Sequence, residues 1–130
     1  MAYTILVVED DELSRKLFVS ILREQGYEVM GAADGEEALA FIEKNSPPLI
    51  LMDIMLPDMS GIEVFNKAKE MGLLKHTKVY ALTASMMPEM HETGFDGTIM
   101  KPVKVTEMLG LVEKIIRGEG ISHSKGAYRR

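Results

Sequence analysis

Two hydrophobic periods alternate along the chain. Residues 4–8, Thr-Ile-Leu-Val-Val, form a short apolar run, the pattern of a strand buried on both faces. Leu13, Leu17, Phe18, Ile21 and Leu22 then recur at helical spacing up to Gly26, a residue suited to ending a helix. Residues 27–32 read as a weaker, edge-type strand. Residues 34–45 read as a helix with acidic residues in its first turn, where they favour the helix dipole. A second fully buried strand spans 49–52. Ile62, Phe65 and Ala68 mark a third helix closed by Gly72, and 79–83 and 98–100 are further strands. A last helix carries Val105, Met108, Leu109, Val112 and Ile116 inward. Five strand–helix alternations make a (βα)5 pattern, which predicts an α/β fold: a doubly wound parallel five-stranded sheet with right-handed crossovers. Ligands of such sheets bind beyond the carboxyl ends of the strands.

Composition narrows the possibilities. A chain of 130 residues is long enough for one domain with a sizeable core, expected over 1–118, with 119–130 as a flexible C-terminal tail. No apolar run approaches the ~18 residues needed to span a bilayer, and the N-terminus lacks the pattern of a secretion signal, so no membrane association is expected. The absence of cysteine excludes disulfides and thiolate metal sites and fits a reducing cytoplasm. A net charge of −5 argues against nucleic-acid binding, which needs a basic footprint. The basic tail residues are read as solvated, and His76, His91 and His123 as unrelated surface residues.

The strand ends carry the candidate chemistry. After the first strand comes Glu-Asp-Asp-Glu, after the third Asp-Ile-Met-Leu-Pro-Asp, after the fourth Thr-Ala-Ser, and after the fifth Lys-Pro. Glu9, Asp10 and Asp53 therefore converge on one edge. Close carboxylates repel, and a hard cation relieves that repulsion; an all-oxygen set suits Mg²⁺ better than zinc. A solvated acidic loop is the plain alternative. Against it stands Asp53, a charge directly after four apolar residues, which needs partners at a buried strand end. Lys101 and the Thr83 hydroxyl lie on the same edge. Acids, hydroxyl and lysine together describe a phosphoryl site in which Asp53, the most recessed carboxylate, is the nucleophile and Glu9 and Asp10 hold the metal.

The segments "VVEDD", "LILMDIMLPDMSGIE", "LTAS" and "MKP", in that order, resemble the receiver domain of two-component response regulators over roughly residues 4–117. The resemblance implies a flavodoxin-like sheet of order 2-1-3-4-5. It implies Asp53 as acceptor of a phosphoryl group from a sensor histidine kinase or histidine phosphotransfer protein. Mg²⁺, or Mn²⁺ in its place, would be held by Glu9, Asp10, Asp53 and the backbone carbonyl of Met55. Thr83 and Lys101 would read the phosphoryl group, and a cis Lys101–Pro102 bond is expected. Met55 and Ser85 would flank the water of self-dephosphorylation and tune its rate. The donor would dock around Ser14–Phe18 and Pro102–Lys104, and output would come from a downstream protein target. Asp11, one position beyond the acid pair, is expected to start the first helix.

Two features depart from the family pattern. An aromatic residue usually stands three positions before the lysine, and here it is Thr98; Phe95 reads as a packing aromatic with a minor claim to that role. The stretch from Thr83 to Lys101 is also about one helical turn shorter than in typical relatives. Pro88 suits a helix start and Gly94 a position just past its end, leaving a fourth helix shortened or mobile, which phosphorylation would order. Met86, Met87 and Met90 in this stretch read mainly as flexible core filler, with an adaptable binding surface as the lesser reading. The rival functions are a phosphorylation-independent receiver-like docking module and, more remotely, a Mg²⁺-dependent phosphohydrolase. The latter would carry a second acid at Met55. A flavodoxin-like cofactor binder would need a phosphate-cradling loop where Glu9–Glu12 stand.

Overall fold

The structure, a computed structural model, describes residues 3–118. Its elements are β1 (Thr4–Val8), α1 (Glu12–Glu24), β2 (Glu28–Ala32), α2 (Gly35–Asn45), β3 (Leu49–Asp53), α3 (Gly61–Glu70), β4 (Lys78–Thr83), α4 (Met90–Thr93), β5 (Gly97–Met100) and α5 (Val105–Ile116). The five strands are all parallel, in the order β2-β1-β3-β4-β5. The weakly apolar β2 is indeed an edge strand, while the continuous apolar runs of β1 and β3 lie inside the sheet. The tail expected at 119–130, and His123 within it, lie outside the described residues.

Successive strand residues point to opposite faces, and this splits the core in two. Ile5, Val7 and Leu51 pack with Phe18, Leu22, Met108 and Val112 on the α1/α5 face. Leu6, Val8, Ile50 and Met52 pack with Ala38, Ile42, Val64 and Ala68 on the α2/α3 face. Helices α1, α2 and α3 start on side-chain caps: Asp11, Asp34 and Ser60 accept the backbone N–H of Ser14, Glu37 and Glu63.

Two apolar assignments differ from the periodicity. Leu13 and Leu17 are 81% and 47% exposed. Helix α1 runs antiparallel to β1, so its first turns overhang the carboxyl end of the sheet, where little strand surface remains to cover them. On α5 the buried residues are Met108, Leu111, Val112 and Ile115, whereas Val105, Leu109 and Ile116 are only partly covered. The helix is rolled from the expected seam because α1 flanks it on the same face.

Helix α4 is a single turn, shorter still than Pro88–Thr93. Bonds of i to i+3 type, Met90 N–H to Met87 O at 2.9 Å and His91 N–H to Pro88 O at 3.2 Å, wind the chain into it. Gly94 closes it at φ 110°, a left-handed conformation that favours glycine. Met90 is buried against Ile54 and Ala81, with Met86, Met87 and Phe95 packed around them. Phe95 stacks on Phe65 of α3 with ring centroids 4.9 Å apart, so it is a packing aromatic.

Candidate functional site at the carboxyl edge of the sheet

Asp53 is the last residue of β3, and a single further backbone bond, Ile54 N–H to Leu82 O at 3.1 Å, extends that pairing. The chain then turns through Pro57 and Asp58 into α3. The turn is fastened twice: Gly61 N–H donates to Ile54 O at 2.8 Å, and the Asp58 carboxylate accepts the N–H groups of Gly35 and Glu36 at 2.8 and 3.0 Å. Asp58 thus ties the loop after the acid to the start of α2, and these bonds hold its own pKa below the usual carboxylate value. Gly61 is required by space, because a Cβ there would collide with the Asp53 backbone carbonyl oxygen.

The acid itself is only 3% exposed. Its Oδ1 accepts the Met55 N–H at 3.1 Å, and its Oδ2 accepts from Lys101 Nζ at 2.8 Å. Lys101 follows β5; its backbone N–H donates to Thr83 O at 2.8 Å, and its peptide bond to Pro102 is cis. The same ammonium donates to Glu9 Oε2 at 3.2 Å. It lies 3.0 Å from Glu9 Oε1, but out of line, so this oxygen, in a residue 1% exposed, has no hydrogen-bond partner. Glu9, Asp10 and Asp53 each bring a carboxylate oxygen within 4.8 Å of the others, and Asp10 opens to solvent.

Burial, with the neighbouring Asp53 carboxylate, raises the Glu9 pKa from 4.5 to about 7 against the lowering pull of Lys101. Burial alone would lower Lys101, but the Asp53 and Glu9 carboxylates outweigh it and raise its pKa. One lysine thus serves two carboxylates, and an oxygen is left over. A hard cation fits this donor set: all ligands are oxygens, one is buried without a hydrogen bond, and the open side leaves room for the waters Mg²⁺ retains.

Thr83 ends β4 and is buried, but its hydroxyl is turned away from the acids. It donates to the Ser85 carbonyl at 2.7 Å and accepts the Ser85 N–H at 3.2 Å. Thr98 is buried on β5 opposite Ala81. Met55 is 72% exposed. A cleft of about 360 Å³ runs between Glu9, Leu17, Ala84, Lys101, Pro102 and Val103. His76 and His91 are exposed, and neither joins a metal-binding group among the described residues. Residue spacing pointed to neither Asp58 nor Arg15, whose guanidinium reaches the Glu9 carbonyl. Both bind backbone groups, Asp58 those of α2, 22 and 23 residues away, and Arg15 those of the loop before its own helix, and backbone partners leave no pattern of residue types.

A five-stranded parallel sheet of order β2-β1-β3-β4-β5 with three acids and a lysine on its carboxyl edge is the arrangement that the receiver resemblance implied. The chain belongs to the response regulator receiver domain family, whose model matches residues 5–113. It is 35% identical over 120 residues to the polar-differentiation response regulator DivK of Brucella anthropi, covering 89% of this chain and 98% of that one. Among solved structures it is similar to a CheY-like receiver domain protein from Methanospirillum hungatei (34% identity, TM-score 0.84, covering 92% of this chain and 97% of that one). It is also similar to the chemotaxis protein CheY4 of Vibrio cholerae (29% identity, TM-score 0.81, covering 88% and 99%). The protein is a receiver of two-component signalling, and no helix among the described residues is long and apolar enough to cross a membrane.

Proposed function

We propose that Asp53 is the phosphoacceptor of a two-component or phosphorelay pathway, charged by a phosphohistidine on a sensor histidine kinase or histidine phosphotransfer protein. What supports this reading is the contact of Lys101 with both Asp53 and Glu9, one of whose buried oxygens is left without a hydrogen bond. A carboxylate oxygen of Asp53 attacks phosphorus. The P–N bond breaks, its electron pair stays on the imidazole nitrogen, and Asp53 becomes an acyl phosphate. Lys101, already on Asp53 Oδ2, counters the charge on the phosphoryl oxygens. Glu9, Asp10, Asp53 and the Met55 carbonyl would hold Mg²⁺ or Mn²⁺, which when bound neutralises those oxygens further.

Thr83 must break its bond to the Ser85 carbonyl before its hydroxyl can reach a phosphoryl oxygen. That release frees the 84–86 backbone and alters the 82–102 face, which then binds a downstream protein. The apolar cleft at Leu17, Pro102 and Val103 suits donor docking. Slow self-dephosphorylation follows from water approaching between Met55 and Ser85. In the presence of Mg²⁺ and a small phosphodonor, intact mass should increase by one phosphoryl group, and Asp53→Asn should abolish the gain. Labelling that persists in Asp53→Asn would show that another residue is the acceptor. Absence of labelling in the natural sequence would favour the phosphorylation-independent docking module, the reading that the one-turn α4 and Thr98 keep in view.

A further inference from the structure

Arg15 lies on the second turn of α1, away from the acid triad, yet its Nη1 donates to the Glu9 carbonyl at 2.8 Å and contacts the Asp10 carbonyl at 3.4 Å. To get there its stem lies over β2 at Gly31. A Cβ on Gly31 would stand 3.1 Å from Arg15 Cγ, 3.2 Å from Cδ and 3.3 Å from Val19 Cγ2. Gly31 has no left-handed φ that would demand glycine. Glycine weakens a strand, and in a strand interior it often marks close approach of another group. Here that group is the arginine stem.

The three residues Glu9–Asp11 between β1 and α1 have few other ties. Glu9 N–H donates to Ala32 O at 3.0 Å, Asp11 N–H reaches Glu9 Oε2 at 3.4 Å, and Asp11 caps α1. Arg15 is the side chain that holds the carbonyls of both Glu9 and Asp10, and so sets the direction in which their carboxylates leave the backbone. We propose that Arg15 is a positioning residue for the cation-binding acids, and that Gly31 is the seat that lets it reach them. This rests on reading Glu9, Asp10 and Asp53 as the Mg²⁺ site.

Electrostatics and positioning predict opposite signs here. As a bare positive charge near the acids, Arg15 would oppose a cation, and its loss would tighten Mg²⁺ binding. As a positioning group, its loss weakens binding, as outer partners of metal ligands do. Gly31→Val separates the two: it keeps the charge, suits an edge strand, and pushes the arginine stem aside.

The test is a MgCl₂ titration of the full chain, followed by the backbone amide signals of Asp10, Asp11 and Met55, with thermal melting in EDTA alongside. Gly31→Val and Arg15→Gln should each weaken Mg²⁺ binding on the order of tenfold. The double variant should bind no more weakly than the weaker single one, because both remove one interaction. A Gly31→Val protein that binds Mg²⁺ as tightly as the natural sequence would overturn the proposal, as would tighter binding by Arg15→Gln. If the natural sequence itself binds no Mg²⁺, the metal-site reading fails as well, which distinguishes the two failures.

Discussion

The half of the molecule that holds the acids and the half that would report on them are built differently. Around β1, β3 and the Lys101 end of β5, side-chain bonds tie separate elements together: Asp53 on Met55 and Lys101, Asp58 on the start of α2, and Arg15 on the Glu9 carbonyl. The helices of that half, α1 to α3, each begin on a side-chain cap. Between Thr83 and β5 the chain makes one helical turn with no side-chain cap, and its own contribution to the core there is the flexible methionines Met86, Met87 and Met90, packed against Ile54 and Ala81. Helix α5 beyond it also starts without a side-chain cap. A cap contributes about 1 kcal/mol, so α4 starts without that contribution, and the 84–97 stretch is anchored at its far end, where Asp96 exchanges two bonds with Val79 and Phe95 packs on Phe65. The acids sit on a frame tied across elements and capped at its helix starts, and the 84–97 stretch on a single uncapped turn.

The largest effect is expected on the side of the acids. Lys101→Met removes the cation shared by two buried carboxylates and should destabilise the protein by about 3 kcal/mol at pH 8, read as a lower urea midpoint. Saturating Mg²⁺ should restore part of that loss. A variant as stable as the natural sequence would mean that the lysine does not balance the acids.

Met90→Ala tests the uncapped turn. Its cavity should cost about 2 kcal/mol, and the loss should appear locally. Amides of 86–97 should exchange faster while those of β1 and β3 keep their protection. In the natural sequence, phosphorylation should slow exchange through the same stretch. Equal, strong protection with and without the phosphoryl group would refute ordering of α4, and equal loosening of β1 in Met90→Ala would erase the difference between the halves.

The most gradual effect concerns Glu9. Folding raises its pKa from 4.5 to about 7, chiefly by burial, so the folded state binds the proton more tightly than the unfolded chain. Without divalent cations, this contribution to stability should fall as pH rises from about 4.5 to 7 and then level off. Lys101, with its pKa raised, stays charged throughout that window. Saturating Mg²⁺ should flatten the fall, because the cation takes the place of the proton. Urea midpoints at intervals from pH 5 to 8 would show it, and a midpoint that rises across that range would contradict the placement of Glu9.

Much of this was legible in residue order. Apolar runs each ended by a polar or charged residue defined the strands and placed Glu9, Asp53, Thr83 and Lys101 on one edge, because strand direction and crossover hand leave a parallel sheet a single carboxyl edge. The spacing of Pro88 and Gly94 marked α4 as short, since helix rise per residue leaves no room for more. Local periodicity and chain length are properties of the backbone, and a sequence carries them in full. Partner choice is not local. Only the folded chain shows the Thr83 hydroxyl turned to Ser85, Arg15 seated on Gly31, Asp58 tied to α2, and Leu13 left in solvent. Each depends on which surfaces meet across the sheet edge. That is decided by the packing of the two layers, not by the identity of any neighbour in the chain.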